Sequence, residues 1–200
     1  MPATAHVIDA DLSKLSRAEI FWTYIKLGFT HILPLGFDHI LFIVSRYILK
    51  PRLKPVLWQA TAFTVAHSIT LGLAMYGIIK PPGSVVEPII ALSILFVGLE
   101  NIITTKLSPW RLAIVFGFGL IHGMGFASAL TGLGLPQKDY FNSLISFNVG
   151  VELGQVSIIL LCWALVGRWA ADRSWYRARV VVPVSVGLVA AYWTVERLLA

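Results

Sequence analysis

Six stretches of this 200-residue chain are each apolar over about 20 residues, the length that carries an α-helix across a bilayer. They run over 28–49, 57–79, 84–105, 110–133, 140–166 and 180–199. An amphipathic lead-in at 20–27 either extends the first of them or lies in the interface. Helix breakers fall where breaks are needed, at Pro51, Pro55, Pro81, Pro82, Gly83, Pro109 and Pro136, while Pro34 and Gly36 predict a kink inside the first stretch. With 57% hydrophobic and 13% charged residues, a soluble fold of this size could not bury its apolar surface in one core. The expected fold is an all-α, polytopic membrane helical bundle with about six transmembrane helices. It forms a single transmembrane domain over 20–200 behind a polar leader at 1–19. That leader lacks the basic start and apolar run of a cleaved signal. Ser16 and Glu19 have capping-box spacing and predict a helix start.

The net charge of +6 would suggest nucleic acid in a soluble protein. In a membrane protein it reports orientation instead, because basic residues gather at cytoplasmic helix ends. Arg46, Lys50, Arg52, Lys54, Lys106, Arg111, Arg168, Arg173, Arg177 and Arg179 flank the odd-numbered loops. Lys14, Arg17, Lys26, Lys80, Lys138 and Arg197 lie on the other side, nearly balanced there by acidic residues. Both termini are therefore expected outside. The expected partners are the lipid bilayer and a metal ion, with no nucleic acid. The expected location is the bacterial inner membrane, and assembly as a homo-oligomer or within a larger membrane complex stays open. Cys162 is the single cysteine, so neither an internal disulfide nor a thiolate metal site can form.

Against this background the polar residues inside the spans stand out, since a charge at a helix centre costs about 3 kcal/mol or more. The first span carries His31, Asp38 and His39, and the second His67 and Ser68. The third carries Glu87, Glu100 and Asn101, the fourth His122, and the fifth Asn148, Glu152 and Gln155. Counting about 1.5 Å per residue from the helix ends puts Asp38, His39, His67, His122 and Glu152 near the midplane. His31 and Glu87 fall nearer the outer face and Glu100 nearer the inner face. Gly119 and Gly123 flank His122, and Gly150 and Gly154 flank Glu152, each pair at the spacing that lets helices approach closely.

Imidazole and carboxylate together suit Ni²⁺, Co²⁺ or Zn²⁺. The candidate metal residues are His31, Asp38, His39, His67, His122 and Glu152. Ser68, Glu87, Glu100, Asn101, Asn148 and Gln155 are candidates for supporting or pathway positions. Three uses of such a site stay open at this point. A permease needs polar groups on both sides of it. A zinc-dependent intramembrane hydrolase would use Asp38 or Glu152 as general base on water. An accessory subunit of a larger membrane complex would hold the metal structurally or for redox chemistry. Blander roles also exist: a lone buried histidine is usually a satisfied structural residue, and Glu100 and Asn101 can simply bond helix ends.

Several segments resemble the HupE/UreJ family, and its second, less characterised branch in particular. They are Gly28–Leu33 with Gly36–Phe42, Phe63–Leu71, Val86–Glu87, Ala91–Ser93 with Glu100–Asn101, Gly119–Ala127 and Phe147–Gln155. The family's members are hydrogenase and urease accessory membrane proteins regarded as nickel or cobalt permeases. The resemblance therefore implies metal uptake, with His31, Asp38, His39 and His122 as the matching residues. The chain departs from the best-known nickel permeases in two places. One extra residue separates His31 from Asp38, and the later motif offers only His122 where they carry two histidines and a glutamate.

Overall fold

A computed structural model describes residues 16–104, 110–131, 139–166 and 173–199. Within them the chain forms α1 (Arg17–Ile32), α2 (Phe37–Leu49), α3 (Leu53–Met75), α4 (Gly83–Ile103), α5 (Arg111–Thr131), α6 (Tyr140–Val166) and α7 (Arg173–Leu199), with no strand. The all-α expectation holds. Four helices, α3, α4, α6 and the Arg177–Leu199 part of α7, are long and apolar enough to cross a bilayer. The pair α1 and α2 passes the same test as one span bent by 64°, and Arg111–Ala127 of α5 is a shorter apolar helix. Most of the polar leader lies outside the described residues, as do Lys106, Pro109, Pro136, Lys138 and Arg168.

The first span differs most from expectation, because the kink is a full break and the helix starts earlier. Ser16 caps α1: its hydroxyl accepts from the Glu19 N–H at 3.3 Å, and the Glu19 carboxylate accepts from the Ser16 N–H at 2.8 Å. The lead-in at 20–27 is thus part of α1, burying Ile20, Tyr24, Gly28 and Ile32 at intervals of four residues. Pro34 ends the helix, since it forces the residue before it out of the helical region. Leu33 is accordingly extended, at φ −131 and ψ 115. Gly36 then lets the chain fold back onto the end of α1, where a β-carbon would stand 2.3 Å from the His31 carbonyl oxygen.

Small residues bring the helices together in pairs. A β-carbon on Gly28 would lie 1.9 Å from the Phe147 carbonyl oxygen, and one on Gly150 would lie 2.1 Å from that of Ile25, so α1 and α6 touch backbone to backbone. Gly119 and Gly123 do the same for α5 against α3, at 2.5 Å from the Phe63 oxygen and 2.3 Å from the His67 oxygen. Helix α4 pairs with α7, Gly98 facing the Pro183 carbonyl. Two apolar clusters result. One is built around Tyr24, Tyr47, Leu71, Phe147 and Ile159. The other is built around Phe42, Phe63, Ile94, Val97 and Val186. Helices α2 and α3 supply both, and the histidines lie between Phe147 of the first and Phe63 of the second.

Candidate functional site

Four imidazoles from four helices meet in the bundle. His31 ends α1, His39 lies in the first turn of α2, His67 is central in α3, and His122 sits between the two close-contact glycines of α5. The His39 ring centroid is 4.8 Å from that of His31 and 5.2 Å from that of His122, and His31 is 6.3 Å from His67. Aromatic rings wall the group. Phe126 packs 4.0 Å from His31, Phe63 packs 5.0 Å from His122, and His67 stacks between Phe63 and Phe147. His39, His67 and His122 are buried, and His31 is half-buried. Sequence depth placed His31 outward of this group. The break between α1 and α2 instead folds it onto His39.

Each of three imidazoles has an acceptor at Nδ1. His39 Nδ1 is 3.0 Å from Asp38 Oδ1, and His122 Nδ1 is 2.8 Å from the Phe118 carbonyl oxygen. His67 Nδ1 is 3.1 Å from Asn148 Oδ1. The Asn148 amide nitrogen donates to the Leu144 carbonyl at 2.8 Å, so the oxygen is the end presented to His67. A carbonyl or carboxylate oxygen only accepts, so the ring proton of the neutral imidazole sits on Nδ1 and the Nε2 lone pair is free. The Nε2 atoms of His31, His39, His67 and His122 are all buried without a hydrogen-bond partner. Buried polar atoms are rarely left so, and here four such imidazole nitrogens share one cluster. Metal-ligating histidines are typically oriented in this way, by an acceptor on the far ring nitrogen. As they stand, no group of three or more His, Cys, Asp or Glu side chains among the described residues is arranged to hold a metal ion.

The carboxylates sit around this cluster rather than in it. Asp38 supports His39, accepting from both its ring and its backbone N–H, the latter at 2.9 Å. Glu152 faces a different space. Its two oxygens accept from Thr61 at 2.7 Å and Thr64 at 2.5 Å, and Gln155 donates to the Thr64 hydroxyl at 2.9 Å. Glu152, Thr61 and Thr64 line a lateral groove of about 360 Å³ with Ser68 and Asn148, and among the described residues no histidine borders it. Glu87 is exposed near the start of α4, where its carbonyl accepts from Arg197 at 3.0 Å.

Glu100 and Asn101 belong to a third polar group, at the end of the bundle where α2 and α4 stop and α3 and α5 begin. Arg111 pairs with Glu100 at 3.1 Å and donates to Asn101 at 3.0 Å. Asn101 reaches Ser45 at 2.8 Å, and buried Arg46 donates to Gln59 at 3.0 Å. The sequence flagged the two arginines only as orientation charges. Their buried role had one signal, namely that Arg46 and Arg111 fall inside the ends of apolar stretches.

Compared with known proteins, residues 8–197 match a family model described as HupE / UreJ protein. No curated protein and no solved structure matches the chain.

Proposed function

The chain belongs to the HupE/UreJ family, and on that premise we propose that it is a multi-pass permease for a divalent transition metal, nickel or cobalt by preference, in the bacterial inner membrane. The observation that carries this reading is the set of four buried, unpartnered Nε2 atoms on His31, His39, His67 and His122. Imidazole nitrogen suits Ni²⁺, Co²⁺ and Zn²⁺ over the hard alkaline-earth ions. The donors come from four helices, and relative motion of helices around a central site is the geometry of alternating access. A donor set short of a closed cage also suits cargo, which must leave as well as bind.

In this reading Asp38, Phe118 and Asn148 hold the imidazoles in the tautomer that offers Nε2 to the ion. The aromatic wall excludes water, so the ion must exchange its hydration shell for imidazole. The hydrolase alternative draws less support from the geometry. Asp38 is engaged with His39, and Glu152 faces a groove that no histidine lines.

The test is uptake by the purified chain in liposomes. Nickel or cobalt accumulates with the intact protein, and His39→Ala or His122→Ala abolishes it. Absence of uptake for every divalent transition metal tried would falsify the permease.

A further inference from the structure

The geometry points to a second cation site in the lateral groove between α3 and α6, an oxygen-only site for one sodium ion built on Glu152, Thr61, Thr64 and Ser68. Glu152 lies near the middle of α6, and Thr64 lies at the middle of α3. Exposed Val65, Ile145 and Val149 rim the groove. A carboxylate at that depth is costly unless its charge is cancelled. Among the described residues it has no lysine, arginine or histidine partner. Two hydroxyls donate to it and a third, on Ser68, lies in the same groove. Hydroxyls soften the charge without cancelling it, whereas one monovalent cation neutralises one carboxylate.

The donor chemistry selects the ion. Carboxylate and hydroxyl oxygens suit hard cations, while the imidazole cluster suits transition metals, so the two sites sort their ions by ligand type. A divalent hard cation would leave a net charge beside lipid. A proton needs a single oxygen, whereas sodium takes several, and the Thr61 and Thr64 hydroxyls on the carboxylate and the Ser68 hydroxyl, which donates to the Thr64 carbonyl at 2.6 Å, stand beside it to supply them.

The two sites are mechanically joined. Thr64 with Glu152 and His67 with Asn148 are successive rungs between the same two helices. Asn148 lines the groove and also fixes the His67 ring. Turning the Thr61 and Thr64 hydroxyls from the carboxylate to an ion therefore changes the packing that positions His67. Sodium here would be the coupling ion. That role rests on the permease reading, while the site itself does not.

Binding is tested first, on the purified full chain freed of transition metals, by retention of radioactive sodium at constant pH and ionic strength against choline. Stoichiometric retention is expected, lost in Glu152→Gln. The Thr61→Ala/Thr64→Ala variant keeps the carboxylate and is expected to bind roughly tenfold or more weakly. No retention by the intact chain, or retention unchanged in both variants, overturns the site. Nickel uptake into liposomes is then compared under an inward sodium gradient and under a pH gradient. Acceleration by sodium supports coupling. A response to the pH gradient alone overturns the coupling role of sodium. Sodium binding that depends on Glu152, without any metal uptake, leaves the site standing and fells the permease reading.

Discussion

Gly123 of α5 lies against the carbonyl oxygen of His67 on α3, so closely that a β-carbon at 123 would stand 2.3 Å from that oxygen and equally close to the Thr70 hydroxyl. The neighbour of His122 thus sets how near α5 comes to the helix that carries His67. Gly123→Ala must push the two backbones apart, because the obstacle is main chain rather than a flexible side chain. The expected cost is about 1–3 kcal/mol of stability, read as a lower unfolding temperature in detergent, with loss of metal uptake at temperatures where the variant is still folded. Gly117→Ala is the matched control. It has nothing within 4 Å of the added carbon, so it is expected to be neutral or slightly stabilising.

Asp38 acts through His39 in this structure. Asp38→Asn keeps the size of the side chain but replaces an ionised acceptor by an amide, which weakens the hold on the His39 ring. Metal affinity is expected to fall about 10- to 100-fold, with little change in thermal stability, as read by titration of the purified protein with nickel. Removing the acceptor at His67 with Asn148→Leu is expected to lower affinity in the same range. An unchanged affinity in both variants would separate these acceptors from the metal.

Arg111 and Glu100 form a buried ion pair that also anchors Asn101. Arg111→Met leaves the Glu100 carboxylate without its partner, at an expected cost of about 3–5 kcal/mol. The double variant Arg111→Met/Glu100→Gln removes both charges and is expected to recover much of that loss. Equal destabilisation in the single and double variants would show that the pair's charges carry none of the effect. Chemical unfolding in detergent distinguishes the two outcomes.

The sequence made the site legible where the signal belongs to a single residue. A histidine in an apolar span is conspicuous whatever its surroundings, and the glycines around His122 and Glu152 announce close helix contact by spacing alone. Position along a helix was accessible as a count of residues, although that count set His31 apart from the His39 it meets. Azimuth was not. Glu152, which that count placed with the histidines, faces elsewhere, since each residue turns the helix by about 100° and only packing fixes the rotation. Thr61 and Thr64 gave little signal, because a hydroxyl in an apolar helix ordinarily satisfies itself on its own backbone carbonyl. The break at 33–36 was visible in Pro34 and Gly36, but the 64° that brings His31 to His39 is a tertiary outcome.

That break also bears on how such a chain can vary. A residue added inside a helix rotates everything beyond it by about 100° and would swing a donor out of the site. Between His31 and Asp38 the chain is interrupted at 33–36, and an addition there only lengthens a turn. The donors on either side keep their own helices and their own faces. Relatives can thus differ in length at this point while keeping the four imidazoles together, and a mismatch in motif spacing there is no measure of lost function.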